Sequence, residues 1–169
     1  KRFQASPSFT HFNVDVSHTH ELPEGFQLYG KVSGQVADGP LVSSEQFSVG
    51  GLDTVRGYLE SETLGDNGVV GNLELRSPNV GDLLQKQMKD ETGQGPARFT
   101  VFNEWRFFGF TDAGTSTTLK PLPEQQSKFD VWSYGVGTRF KMFDYLNGTL
   151  VYSVPMISQT YSTARNPRV

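Results

Sequence analysis

Along most of this chain, apolar and polar side chains alternate, and a period of two residues is the signature of a strand whose faces meet different surroundings. Within residues 9–20, Phe12, Val14 and Val16 share one face, opposite His11, Asn13, Asp15 and Ser17. Residues 26–37 divide the same way: Phe26, Leu28, Gly30, Val32, Gly34 and Val36 oppose Gln27, Tyr29, Lys31, Ser33 and Gln35. Val69, Gly71, Leu73 and Leu75 oppose Val70, Asn72, Glu74 and Arg76, while Phe99, Val101, Trp105 and Phe107 oppose Thr100, Glu104, Arg106 and Asp112. Trp132, Tyr134, Val136, Phe140 and Met142 then oppose Ser133, Gly135, Gly137, Arg139 and Lys141, and Leu150, Tyr152, Val154 and Met156 oppose Thr149 and Ser153. The pattern predicts an all-β, antiparallel chain of six strands.

The connections differ in kind. Residues 23–25 and 145–148 are short turns, whereas residues 38–68 and 113–128 are long and polar. Short turns on one side and long loops on the other are the asymmetry of up-and-down outer-membrane barrels. Residues 79–97 depart from it; there Leu83, Leu84 and Met88 fall on one face of a predicted short helix over residues 82–89, an insertion at the rim.

Composition narrows the choices. With 15 basic and 18 acidic residues the net charge is -3, which makes no case for a nucleic-acid partner. There is no cysteine, so disulfides and thiolate metal sites are excluded. No run of apolar residues is long enough for a membrane-spanning helix, and the first residues lack the apolar stretch of a signal peptide. A spanning strand needs only about 9–11 residues with one apolar face. Glu74, Arg76, Glu104, Arg106, Arg139 and Lys141 lie on polar faces, and Trp105, Phe107, Trp132, Tyr134, Phe140 and Tyr152 on apolar ones. Lumen and lipid faces of a barrel would have that distribution, but so would the solvated and core faces of a soluble sandwich. Six strands are too few to close around a polar interior, so the barrel reading makes this a portion of a larger barrel.

Other constellations carry less. His18 and His20 share a strand face, yet no third metal ligand accompanies them. Gly-x-Ser-x-Gly is missing, residues 93–98 lack the lysine of a phosphate loop, and residues 65–68 are too short for a calcium loop. Asn147-Gly148-Thr149 has the form of a glycosylation site but suits turn geometry. The sequence points to no cofactor and no metal.

Residues 48–68, SVGGLDTVRGYLESETLGDNG, hold one arginine among small residues. In isolation Arg56 reads as a solvated loop charge. Three motifs change that. Val55-Arg56-Gly57-Tyr58, Gly71-Asn72-Leu73-Glu74-Leu75-Arg76 and Phe110-Thr111-Asp112-Ala113-Gly114 stand in that order. They resemble V-R-G-F/Y, G-x-x-E-L-R and F-x-D-x-G in the barrel region of two-partner secretion transporters, the ShlB/FhaC/HecB family of haemolysin secretion/activation proteins. That family belongs to a superfamily that includes the barrel-assembly factor BamA.

The resemblance implies a non-enzymatic outer-membrane pore of sixteen strands that exports a partner polypeptide and sits among outer-membrane lipids. These strands would be the tenth to the fifteenth, spread over residues 1–169. Periplasmic POTRA domains, which could also meet chaperones, and a last strand ending in an aromatic residue would lie outside this chain. V-R-G-Y would tip the loop at 38–68, folded back into the barrel, where Arg56 latches to Asp112 with Glu74 close by. By alternation both carboxylates face inward on neighbouring strands, and an arginine's rigid fork of donors suits them. Gly57 would let the tip turn, Gly50, Gly51, Gly65 and Gly68 would bend the limbs inward, and Tyr58 would pack on the wall. With Arg56 as partner, Glu74 and Asp112 stay ionised and suit no acid/base pair. A BamA-type assembly factor and, from another class, a soluble β-sandwich binding module are the alternatives.

Overall fold

The computed structural model describes residues 8–82, 102–143 and 145–169. Its frame is one antiparallel sheet of six strands: β1 (His11–Glu21), β2 (Gln27–Ala37), β5 (Asn67–Arg76), β6 (Phe102–Thr117), β7 (Lys128–Met142) and β8 (Leu146–Pro155), paired in that order. Each strand pairs with the next one along the sheet, and β1 and β8 are its two edges. Past Pro155 the chain doubles back, and Arg168 exchanges a reciprocal pair of backbone hydrogen bonds with Ser153 at 2.8 and 2.9 Å.

The period-two pattern decides which face is which. Phe12, Val16, Val32, Leu75, Phe107, Trp132, Tyr134, Val136 and Tyr152 form a broad exposed apolar surface on the outer face. The inner face carries Ser33, Gln35, Glu74, Asp112 and Ser133, all buried. The core lies on this inner side, because the chain between β2 and β5 folds over it. That connection contains its own hairpin, β3 (Phe47–Val49) against β4 (Thr63–Gly65).

Three sequence expectations shift. Strand β6 runs on to Thr117, leaving a loop of 118–127 in place of 113–128. Ala113, Gly114, Thr115, Ser116 and Thr117 show no apolar alternation, and pairing with Asn67–Gly71 on one side and Lys128–Trp132 on the other holds them extended. Residues 146–148 belong to β8, so Asn147 faces Lys141 in a ladder and is not in the turn. The limbs of the long loop are not loose glycine-rich chain: Gly65 lies in β4 and Gly68 in β5, and positive φ occurs at Gly50, Gly51 and Gly57. Of the helix expected over 82–89, residues 83–89 lie outside the described residues.

Trp105 is only half-buried and donates its indole N–H to Thr138 Oγ1 at 2.8 Å across the outer face, leaving its rings on the apolar surface. Val136, near the middle of β7, is 59% exposed on that face. Val136→Arg should therefore cost about 2–4 kcal/mol on insertion into lipid. Asn13→Arg, on the inner parity of β1, should insert normally. Folding of full-length protein into liposomes, scored by heat-modifiable migration, checks the pair; equal yields would contradict the outward assignment.

Candidate functional site

The base of the long loop is fixed before its tip is placed. Asp66, wholly buried, accepts the Leu41 N–H at 2.9 Å and the Leu119 N–H at 2.6 Å. Its own backbone N–H donates to Thr117 O at 2.8 Å. One carboxylate thus ties the loop's outgoing limb to the start of the connection after β6. Gln35 Nε2 adds bonds to Glu45 O at 3.0 Å and Asp66 O at 3.1 Å.

From there β3 and β4 carry the tip across the inner face of β5, β6 and β7. Gly50 and Gly51, with φ near +111 and +108, reverse the chain where a side chain would collide with Leu59 O or the Glu60 carboxylate. The tip reaches Asp112, five residues inside the Thr117 end of β6, a depth of about 17 Å at the usual rise per residue.

There Arg56 meets two carboxylates. Its Nε donates to Asp112 Oδ2 and its Nη2 to Asp112 Oδ1, both at 2.7 Å, a forked contact; its backbone N–H adds a third bond to Oδ2 at 3.1 Å. Asn72 Nδ2 gives Oδ1 a further donor at 2.9 Å, so the four lone-pair positions of Asp112 are used. Arg56 Nη1 reaches Glu74 Oε1 at 2.5 Å, and Arg76 closes the set by donating to Glu74 Oε2 at 2.8 Å. Two cations balance two anions. The guanidinium lies over the Phe110 ring, 3.7 Å from its centroid, and Arg76 lies over Tyr29 at 4.2 Å.

The register accounts for this assembly. Glu74 pairs with Phe110 and Asn72 with Asp112 across β5 and β6, so all four side chains share one face. In F-x-D-x-G, Phe110 supplies the ring under the cation, Asp112 the acceptors, and Gly114 a gap. A Cβ at Gly114 would stand 2.9–3.2 Å from methyls of Val70, Val49 and Val55. Those three valines, with Tyr58 and Val131, are the buried apolar cluster, and Phe47 packs against it. Gly57, at φ +93, passes close to Ser153 and Pro155, and its turn sends Arg56 and Tyr58 to different walls.

The energetics divide between these parts. Burying each valine or tyrosine contributes roughly 1.5–3 kcal/mol. A buried ion pair gains little over an apolar filling of the same shape, but removing one partner costs about 3–5 kcal/mol. The valine cluster therefore supplies most of the attraction, and the arginine set decides which arrangement of the loop is allowed.

Val55, Arg56, Tyr58, Glu74, Asp112, Arg76, Phe110 and Gly114 all meet at or beside this site. Gly71 does not: it faces outward, and a Cβ there would touch nothing within 4 Å. Alternation alone could have added Asn72, which shares its face with Glu74 and Arg76. Asp66 and Glu62 are in none of the three motifs, and their backbone-donor partners leave no sequence signal. His18 and His20 stand with rings 6.3 Å apart on the outer parity of β1.

The family model described as haemolysin secretion/activation protein ShlB/FhaC/HecB matches residues 1–97. The chain belongs to this family. The heme/hemopexin transporter protein HuxB of Haemophilus influenzae is 37% identical over 76 residues, 45% of this chain and 14% of that protein. HuxB of the Rd strain is 38% identical over 74 residues, 44% of this chain and 13% of that protein. The match thus spans about one seventh of these relatives' length. CdiB from Acinetobacter baumannii superposes with a TM-score of 0.59 at 18% identity, covering 92% of this chain and 25% of that one. The likeness to CdiB gives the fold: this sheet is a portion of a barrel wall, its inner face the lumen.

Removing the Arg56 side chain leaves the buried Asp112 without a cation and Glu74 with Arg76 alone. Arg56→Ala and Asp112→Ala should each weaken docking of residues 38–66 by about 3–5 kcal/mol, with the double variant little worse than either. Gly114→Ala should weaken it by about 1–3 kcal/mol through overpacking, with the ion pairs intact. Protease cleavage rates within the loop of the folded protein measure all four, and additive losses in the double variant would contradict the pairing.

Proposed function

We propose that this chain is the part of an outer-membrane translocation pore that carries the pore's internal loop, and that the pore exports a large partner polypeptide by two-partner secretion. Family membership supports a transport role over catalysis. The outer face supports contact with outer-membrane lipids, and POTRA domains elsewhere in such a protein would first meet the exported chain in the periplasm. The single observation that carries the reading is the Arg56 tip held deep in the lumen by Asp112 and Glu74.

An extended polypeptide needs the space the loop occupies. The latch formed by Arg56, Glu74 and Asp112 then has two tasks: it closes the lumen at rest, and it returns the loop to one position after each passage. Val55, Gly57 and Tyr58 seat the tip, Phe110 and Gly114 shape its bed, and Arg76 holds the second oxygen of Glu74. Every bond in the latch is polar and reversible. An arriving chain, rich in backbone donors and acceptors, can exchange with it without leaving a charge stranded.

Export of the cognate partner into the medium, at equal outer-membrane levels of transporter, tests this. Arg56→Ala should reduce export at least tenfold, and Arg56→Lys should restore part of it, because an ammonium cannot make the forked contact. Wild-type export by Arg56→Ala would overturn the latch. Loss of lipid-embedded barrel in every variant would instead mark Arg56 as a folding residue.

A further inference from the structure

Where β7 meets the end of β8, the ladder is interrupted by a side chain from the loop. Ser133 pairs with Pro155, and beyond it the Met156 N–H donates to Trp132 O at 2.8 Å. The Trp132 N–H, which would complete that rung, goes to the Tyr58 hydroxyl oxygen at 3.3 Å. The Ile157 N–H reaches the same oxygen at 3.1 Å. Tyr58 has one proton to give, with Ile157 O at 2.9 Å and Trp132 O at 3.0 Å in range. The two carbonyls share that proton's range, Ile157 O being the nearer. The hydroxyl thus makes one donated and two accepted bonds, all to backbone, while its ring stays in the valine cluster.

Four residues further along the loop a second contact reaches the same segment. Glu62 Oε1 accepts the Tyr161 N–H at 3.1 Å, and Oε2 accepts the hydroxyl of Ser162, which is buried, together with the Leu59 N–H at 2.9 Å. Arg165 N–H to Pro155 O at 2.7 Å and the Arg168–Ser153 pair hold the return of this segment against β8. The loop therefore grips residues 157–162 at two points, neither of which involves Arg56.

We propose that Tyr58 and Glu62 are positioning residues that make residues 156–162 a clasp for the loop, so that loop and clasp release together; this rests on the reading of the loop as the pore's movable part. Withdrawing the tip removes the acceptor of two N–H groups, of Trp132 and Ile157, and the donor within reach of their carbonyls. The backbone has one ready alternative: Trp132 N–H completes the rung to Met156 O, and β7 and β8 zip further. Loop seated with ladder split, and loop withdrawn with ladder extended, are mutually exclusive arrangements of the same backbone, the kind of two-state element that can carry coupling between distant groups. The V-R-G-F/Y pattern admits phenylalanine, which keeps the ring and lacks the hydroxyl, so this coupling is a property of this chain.

Hydrogen exchange on the full-length transporter in lipid nanodiscs, resolved for peptides covering 128–135 and 156–163, tests the clasp. Arg56→Ala should speed exchange at Ile157 and Tyr161 by about tenfold or more, although Arg56 bonds to neither. Tyr58→Phe should do the same at Ile157, and Glu62→Ala at Tyr161, with Glu62→Gln intermediate because its carbonyl still accepts one bond. Heat-modifiable migration establishes that each variant is a folded barrel, and Tyr58→Phe preserves the packing. Unchanged exchange over 156–162 in either Arg56→Ala or Tyr58→Phe overturns the proposal. The readout is exchange and not export: coupled exchange with normal export would contradict the transport reading and leave the clasp standing, and uncoupled exchange with lost export would do the reverse.

Discussion

A guanidinium taken out of bulk water must be answered by carboxylates at fixed positions, and the placement of Arg56 governs the arrangement around it. The two acids sit on adjacent strands, Glu74 on β5 and Asp112 on β6, at a register that sets them on one face. A slip of one residue between these strands would send one acid to the outer surface and leave a charge unmatched. Strand register, loop position and charge balance are therefore one constraint.

The same division of labour runs through the loop. Apolar burial of Val49, Val55 and Tyr58 against Val70 and Val131 is non-directional and would tolerate several seatings. The forked pair with Asp112, the Asp66 carboxylate at the base and the Tyr58 hydroxyl are directional; the first two are bonded to β6 or its extension, and the third to β7 and the extension of β8. A loop held by strong contacts that each depend on geometry is rigid when seated and loses much at once when displaced. Such behaviour suits a part that must occupy one of two positions and little in between.

Much of this was legible in the sequence because a barrel wall leaves a periodic record. The two faces, with Glu74 and Asp112 both on the polar one, follow from parity; that this polar face is a barrel lumen is what the connections and the three motifs add. What the alternation could not convey is instructive. Residues 113–117 are small or hydroxyl-bearing, so their strand is visible only through its partners on either side. The β3–β4 hairpin is three residues on each side, too short for any period. Asp66, Glu62 and the Tyr58 hydroxyl bond largely to backbone groups, and a backbone N–H has no residue type to read. The motif Gly71 is the reverse case, a sequence signal with no contact among the described residues to explain it.

The central claim is that the seated loop, with Val55 against Gly114 beneath the arginine set, is the closed position of the lumen. The chain has no cysteine, so a Val55→Cys/Gly114→Cys pair would be the only thiols it contributes. The close approach of a Gly114 Cβ to the Val55 side chain is within disulfide reach. Crosslinking this pair in intact outer membranes, with export followed before and after reduction, is the most direct measurement. The account predicts a near-complete crosslink that abolishes export and a return of export on adding reductant. Full export through crosslinked transporter, or a folded transporter in which the pair never joins, would contradict it.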